Sequence, residues 1–158
     1  MKIYRISTKK YIYDLSGIGA ELYGGRWNLP GTAMVYASES RALASMEYLV
    51  HGLIPPYNTM IAVLEIPENI LFKEIYIADL PDNWYKYPAP HELAMIGTNW
   101  AKSKTSLLLR VPSAIVLQEY NILINPAHPN MKKVAIISIE SFAYDKRFIS
   151  HKSPARRK

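Results

Sequence analysis

An arginine, a tyrosine and a glutamate lie within one glycine-rich stretch, residues 24–47, GGRWNLPGTAMVYASESRALASME. The two glycines at its start allow the backbone to turn tightly and to approach a ligand closely. Arg26, which follows them, can offer a planar fork of donors to a phosphate or a carboxylate. Tyr36 and Glu47 would add an aromatic ring and an anion. This combination predicts a pocket for a ligand that carries phosphate and develops positive charge.

Each candidate also has a purely structural interpretation. Arg26 could tie down a loop, and Tyr36 could be a core or edge aromatic. Glu47 borders the apolar side of its predicted helix, and an unpaired buried carboxylate is costly. It therefore belongs either to a buried pair or to a site. Ser113 follows a proline between two predicted strands, where a turn serine is common.

Other kinds of site are not indicated. The chain has no cysteine, which excludes disulfides, thiolate nucleophiles and cysteine-containing zinc sites. Its four histidines are scattered without the spacing of metal ligands, so no metal site is predicted. Asn121 and Asn125 bracket an apolar run, and side-chain hydrogen bonds to turn backbone would explain both.

Length and charge set the class of protein. A chain of 158 residues fits a single domain, expected over residues 1–150. Much of the net charge of +6 comes from the last thirteen residues, and residues 151–158 are predicted to be a mobile basic tail. No apolar run approaches the ~20 residues of a transmembrane helix. No signal peptide is apparent, so a cytoplasmic protein without membrane contact is expected.

The elements that must position the candidates are mainly short strands. Alternating or apolar runs predict strands at residues 2–7, 34–37, 60–66, 71–77, 107–111, 115–117, 121–124 and 134–139. Helical spacing predicts one helix from an N-cap at Ser38 to about residue 51 and another over residues 91–102. Residues 14–23 are expected to form a loop. The absence of regular strand–helix alternation predicts an α+β fold with a mostly antiparallel or mixed sheet.

These residues occur in an order that resembles the RES domain, the toxin half of RES–Xre toxin–antitoxin pairs. The resemblance runs from residue 3 to about residue 147. It rests on the runs GGRWN (24–28), VYAS (35–38), LA (43–44), LP (80–81), IG (96–97), VPSA (111–114), NILINP (121–126) and HP (128–129), together with Gly31, Glu47, Trp84 and Trp100.

The resemblance implies an ADP-ribosyltransferase-like fold and an enzyme that consumes NAD⁺ as its substrate and needs no further cofactor. It implies Glu47, Arg26 and Tyr36 as catalytic residues. Arg26 and Tyr36 would also bind substrate, together with Ser113, Gly25, Trp27 and Asn28. The implied partner is an Xre-type helix-turn-helix antitoxin that blocks the active-site cleft, and DNA would be contacted only through that complex.

Three acceptors stay open for such an enzyme. Water would make it an NAD⁺ glycohydrolase, phosphate a phosphorolytic enzyme, and a protein side chain a mono-ADP-ribosyltransferase. Depletion of NAD⁺ by hydrolysis or phosphorolysis, with arrest of growth, is the first expectation, and protein modification is the second. A non-catalytic domain that binds nucleic acid or a partner through its basic tail is an alternative of a different class.

Overall fold

A seven-stranded sheet organises the described part of the chain, which in this computed structural model covers residues 1–51 and 58–150. The strands are β1 (Lys2–Thr8), β2 (Val35–Ser38), β3 (Thr59–Glu65), β4 (Phe72–Glu74), β5 (Leu108–Pro112), β6 (Tyr120–Ile124) and β7 (Ala135–Ser141). Their order in the sheet is β4-β5-β6-β2-β1-β3-β7. Only β4 and β5 run parallel; the other neighbours are antiparallel. The α+β prediction is confirmed.

Four α-helices accompany the sheet in the described residues: α1 (Ile18–Tyr23), α2 (Arg41–His51), α3 (His91–Ser103) and α4 (Arg147–Ser150). Two short 3-10 helices, Ile77–Asp79 and Pro129–Lys133, lie in the connections. The helices α2 and α3 and most strands lie within a few residues of their predicted positions. None of the described helices is long and apolar enough to cross a membrane. The predicted tail, residues 151–158, lies outside the described residues.

Several local predictions were wrong, each for an identifiable reason. Residues 115–117 form a turn instead of a strand, because the Ser113 hydroxyl accepts the backbone N–H groups that follow it. Ser38 is the last residue of β2, and the helix cap is Ser40, whose Oγ accepts the Leu43 N–H at 3.0 Å. Part of the predicted loop 14–23 is the helix α1. The predicted strand 71–77 is shortened to β4.

One face of the sheet carries a continuous apolar core. Strand residues of alternating position share it, as expected when successive side chains point to opposite faces. The buried members on the strands include Ile3, Val35, Ala37, Ala62, Leu64, Leu108, Ile122 and Ile124. This face holds no candidate site residue.

The opposite face is covered in two parts. Helix α3 packs Leu93 and Trp100 into a cluster with Leu109, Val111 and Leu123. Helix α2 packs against β1 and β2, with Ala44 in a second cluster. Between the two parts the strands present polar side chains. The β2–β6 register pairs Tyr36 with Leu123 and Ser38 with Asn121, which places all four on this face.

Candidate functional site

The glycine-rich turn lies beside Tyr36. Gly24 has a φ of 72°, in the left-handed region that favours glycine. Gly25 and Asn28 close a tight turn, since the Gly25 N–H donates to the Asn28 carbonyl at 2.9 Å. A Cβ on Gly25 would lie 2.7 Å from the Tyr36 hydroxyl oxygen and 3.0 Å from Asn28 Oδ1. The turn can therefore come this close to β2 only with glycine at position 25.

The side chains of Asn28 and Trp27 face the interior. Asn28 is buried, and its Nδ2 donates to the backbone carbonyls of Ala20, Leu29 and Thr32 at 2.7, 3.2 and 3.0 Å. Trp27 is buried in the cluster under α3. A Cβ on Gly97 of that helix would collide with the Trp27 carbonyl oxygen, so a glycine is required there. Both residues shape the turn from within.

Tyr36 connects β2 to this turn. Its hydroxyl donates to Asn28 Oδ1 at 2.7 Å and accepts the Trp27 N–H at 3.1 Å. Burial raises the pKa of Tyr36, an effect only partly offset by the Trp27 N–H and the nearby Arg26 cation. The phenol is therefore neutral, and its polar end is fully used in holding the turn.

Arg26 projects from the turn towards the segment that precedes α3. Its Nη1 donates to the Trp84 carbonyl at 2.7 Å and its Nη2 to the Lys86 carbonyl at 3.1 Å. The structural interpretation, a loop tied down by arginine, thus accounts for two of its N–H groups. The others have no acceptor in the described part of the chain. Burial lowers the pKa of Arg26, opposed by Glu47 and Tyr36, and guanidinium remains a cation in either case.

A cavity of about 250 Å³ opens on the outer side of Arg26. It is lined by the glycine-rich turn, the end of α1 and the start of α3, through Tyr23, Gly24, Gly25, Arg26, Asn28, Leu29, Pro30, Ala89, Pro90, His91 and Ala94. Glu47, Ser113 and Tyr36 do not line it. The cavity therefore extends the site away from the carboxylate, along the turn.

Glu47 reaches from α2 to the ends of β5 and β6. Its Oε1 accepts the Ser113 hydroxyl at 2.8 Å and Asn121 Nδ2 at 2.5 Å. The sequence predicted that Glu47 belongs to a buried pair or to a site. Among the described residues it forms no ion pair, since their ion pairs involve other carboxylates, and its partners are the neutral groups of Ser113 and Asn121. Glu47 and Arg26 influence each other electrostatically without forming an ion pair, so an anion and a cation flank the site unneutralised.

Ser113 is completely buried directly after β5. Its Oγ accepts the N–H groups of Ile115 and Val116, each at 3.1 Å, while its own proton goes to Glu47. Its turn geometry matches the structural interpretation, and the same geometry aims its hydroxyl at the carboxylate.

Sequence reasoning missed Asn121, which bonds Glu47, and Ser38, which bonds Asn121. The Ser38 hydroxyl donates to Asn121 Oδ1 at 2.7 Å, and the Asn121 amide donates to Glu47. The proposed turn-backbone role was wrong for Asn121. It fits Asn125, whose Oδ1 accepts the Ala127 N–H. The available signal was the alternation on β6, which puts Asn121 on the face opposite Ile122 and Ile124.

Comparisons with known proteins agree with one another. Residues 2–145 match the RES domain. A Sphingobium protein named "Prs ADP-ribosylating toxin" is 42% identical over 155 residues, covering 92% of this chain and 95% of that protein. A Yersinia enterocolitica protein named "Toxin Res" is 40% identical, covering 93% and 99%.

A chain in the crystal structure of the M. tuberculosis MbcT–MbcA toxin–antitoxin complex superposes with a TM-score of 0.67 at 16% identity, covering 90% of this chain and 84% of that one. At that identity the likeness concerns the fold. The family match spans nearly the whole chain, and the relatives are similar along nearly their full length. This chain is therefore a member of the RES domain family.

Proposed function

We propose that this protein is the cytoplasmic toxin of a toxin–antitoxin pair and that it cleaves the nicotinamide–ribose bond of NAD⁺. The observation that carries the proposal is the state of Glu47. Its carboxylate is fixed by the neutral donors Ser113 and Asn121 and is not paired with Arg26. A carboxylate held in this way can stabilise positive charge that develops on a bound sugar.

The reaction suits such a carboxylate. As the C1′–N bond of the nicotinamide riboside breaks, its electron pair moves to the pyridine nitrogen, and nicotinamide leaves as a neutral ring. C1′ acquires oxocarbenium character, as in glycoside hydrolysis. An acceptor oxygen then forms the new bond to C1′ and releases its proton, with Glu47 placed to stabilise the cation or to orient the acceptor.

The other side chains would position the dinucleotide. The N–H groups of Arg26 that have no acceptor in the described residues suit the diphosphate, because guanidinium binds phosphate oxygens in a fork. The cavity beyond Arg26 would take the adenosine half. The Tyr36 ring would pack against nicotinamide, while Gly25, Trp27 and Asn28 give the turn the shape that this requires.

The acceptor defines two versions of this function. Hydrolysis or phosphorolysis would deplete NAD⁺ and arrest growth. Transfer to a protein side chain is the second candidate, and it is favoured by one observation: the relative that is 42% identical is named a Prs ADP-ribosylating toxin. Both versions begin with the same bond cleavage and require the same carboxylate.

The proposed partner is an antitoxin that covers the cleft. Its support is the fold likeness to a chain of a toxin–antitoxin complex. An Xre-type helix-turn-helix protein would also supply the DNA contact, so that this chain reaches DNA only within the complex. Co-expression of the antitoxin should therefore suppress the toxicity of this protein. Purified antitoxin should inhibit NAD⁺ consumption stoichiometrically.

The test is release of nicotinamide from NAD⁺ by purified protein, with and without phosphate. Glu47→Gln should reduce turnover by about 10²- to 10³-fold, as loss of a preorganised electrostatic group does elsewhere. Glu68→Gln, an exposed carboxylate after β3, is the matched control and should leave turnover unchanged. Phosphate dependence would identify phosphorolysis. Full turnover by Glu47→Gln would overturn the proposal.

If the purified enzyme consumes NAD⁺ only when a second protein is added as acceptor, the second candidate function, transfer to a protein side chain, holds. Labelled NAD⁺ with purified Prs, and separately with a lysate, would then reveal the modified protein. The non-catalytic alternative predicts salt-dependent polynucleotide binding that is lost when residues 152–158 are deleted, with no NAD⁺ turnover under any condition.

A further inference from the structure

The two oxygens of the Glu47 carboxylate have different surroundings. Oε1 accepts both the Ser113 hydroxyl and the Asn121 amide, at 2.8 and 2.5 Å. For Oε2, no donor is present among the described residues. A carboxylate with both donors on one oxygen cannot rotate freely, because rotation would break two charge-assisted hydrogen bonds.

Asn121 can donate to Glu47 only in one orientation of its amide. Ser38, buried at the end of β2, donates its hydroxyl to Asn121 Oδ1 at 2.7 Å. That bond turns Nδ2 towards Glu47. A flipped amide would place its oxygen against the carboxylate, acceptor against acceptor, which is unfavourable. The β2–β6 register that pairs Ser38 with Asn121 therefore places a hydroxyl donor where it supports the orientation in which Nδ2 faces Glu47.

Ser113 is constrained in the same sense. Two backbone N–H groups occupy its acceptor sites, so its O–H proton is directed to Oε1. It is completely buried, which puts its hydroxyl out of reach of a ligand in this conformation. Its route to the reaction is through Glu47.

We infer that Asn121, oriented by Ser38, is a positioning residue for Glu47, and that with Ser113 it leaves Oε2 as the carboxylate oxygen that faces the substrate. This inference rests on the proposed function for its consequence in turnover. Its geometric part concerns the protein alone. Both parts can be tested with one substitution, Asn121→Asp.

The variant Asn121→Asp makes the donor dependent on pH. When the introduced carboxyl group is protonated, it can donate an O–H to Oε1 as the amide does. When it is ionised it opposes Glu47, because two adjacent carboxylates resist joint ionisation. The ratio of variant to wild-type kcat should therefore be highest at acidic pH. It should fall by about 10- to 100-fold towards alkaline pH, the range expected for losing a hydrogen bond to a charged group. KM should change little if Asn121 acts only through Glu47, the residue to which its amide donates.

Two controls separate positioning from a general effect. Asn99→Asp adds the same charge at an exposed position of α3, and its kcat ratio should be flat with pH. Asn121→Ala removes the donor in every protonation state, so its kcat should be reduced at all pH values. Ser38→Ala removes only the group that orients the amide, and should lower kcat by about 3- to 10-fold.

A second readout does not depend on activity. With ¹³C-labelled glutamate, the carboxyl resonance of Glu47, assigned by its absence in Glu47→Gln, can be titrated directly. In Asn121→Asp it should titrate in two steps and at higher pH than in the wild type, as expected for a coupled pair. If Asn121→Asp does not fold, Ser38→Ala serves as the test protein instead. The titration of its Glu47 carboxyl resonance should then differ from that of the wild type.

The outcomes are distinct. A pH-independent kcat ratio for Asn121→Asp, together with an unchanged Glu47 titration in the folded variants, would overturn the inference while leaving NAD⁺ cleavage intact. If the wild type consumes no NAD⁺, the proposed function fails, and the titration alone decides whether Asn121 holds the carboxylate.

Discussion

Two polar clusters lie on opposite faces of the sheet, and they differ in how their charged groups are partnered. The Glu47 cluster, formed by Ser38, Glu47, Ser113 and Asn121, holds a carboxylate with neutral donors. The Arg110 cluster lies on the other face of β5 and surrounds a guanidinium with two carboxylates. Arg110 bonds Glu39 at 2.6 and 3.1 Å and Glu74 at 2.5 Å, and its guanidinium carbon lies 3.4 Å from the centre of the Tyr120 ring.

The difference follows from what each cluster can do. In the Arg110 cluster both carboxylates are paired with the one guanidinium, and every partner comes from the sheet or its margins. The hydrogen bonds that Arg110 donates to Glu39 and Glu74 raise the pKa of Arg110, so the cation is permanent. This cluster joins β4, β5, β6 and the end of β2. Its ion pairs link neighbouring strands and so stabilise the sheet.

The Glu47 cluster keeps its charge available. Neutral donors fix the carboxylate without cancelling its field. Arg26, the cation that interacts with it electrostatically, donates to backbone carbonyls elsewhere. Leaving a half-buried charge unpaired costs stability, and sites with a function commonly show that cost. The comparison therefore predicts that substitutions in the two clusters affect different properties.

The largest expected effect is on activity in the Glu47 cluster. Glu47→Gln should lose about 10²- to 10³-fold in turnover. Its free energy of unfolding should be unchanged or higher by up to about 1 kcal/mol, because the amide oxygen can accept both donors and the unpaired charge is removed. Urea unfolding measured alongside nicotinamide release tests both. A marked loss of stability would show that the carboxylate is a structural group after all.

Arg110→Met should show the converse. Removing the cation leaves Glu39 and Glu74 close together and ends the contact with Tyr120, so the free energy of unfolding should fall by about 2 kcal/mol. Turnover per folded molecule should stay within about twofold of wild type, because the substitution lies on the far face of the sheet. Arg110→Lys is the control: it keeps the charge, loses the fork and should fall in between.

High salt sharpens this second prediction. Partly exposed ion pairs are screened by salt, whereas hydrogen bonds to neutral donors are much less affected. Raising ionic strength to about 1 M should therefore narrow the stability difference between wild type and Arg110→Met. The difference between wild type and Glu47→Gln in turnover should persist under the same conditions. If the difference in free energy of unfolding between wild type and Arg110→Met does not depend on salt, the lost stability comes from the packing of Arg110 on Tyr120.

Sequence reasoning reached much of this arrangement where the signal is local. Arg26 and Tyr36 lie ten residues apart in the stretch that the sequence singled out, and the Tyr36 hydroxyl bonds the turn that carries Arg26. Strand alternation also located most of the sheet. The sequence prediction chose Ser38 as the helix cap instead of Ser40 because both serines precede the helix. Only the geometry of the first turn distinguishes them.

What sequence could not provide was the pairing of distant segments. Asn121 is 74 residues from Glu47, and Arg110 is 71 residues from Glu39. An isolated asparagine or arginine on a strand has many potential partners. Choosing among them requires the strand order, the β2–β6 register and the position of α2 over the sheet, all of which depend on long-range packing.

Tyr36→Phe has the smallest expected effect and examines the link between the turn and the sheet. The substitution removes the hydroxyl that serves Asn28 Oδ1 and the Trp27 N–H. At neutral pH it should lower the free energy of unfolding by about 1–2 kcal/mol. KM for NAD⁺ should rise more than kcat falls, because the loosened turn carries Arg26.

The pH dependence of that difference gives the sharper test. Burial raises the pKa of Tyr36 in the folded state above that of the unfolded chain, about 10. The contribution of the buried phenol is therefore complete below that pH, and it is lost as pH rises further, because the unfolded chain releases its proton first. Above about pH 9.5 the free energy of unfolding should fall more steeply for the wild type than for Tyr36→Phe. The other tyrosines are present in both proteins, so their titration does not contribute to the difference. If the free energies of unfolding of the two proteins fall in parallel with pH, the Tyr36 hydroxyl is open to solvent. The turn would then be held by the hydrogen bonds of Arg26 and Asn28 without it.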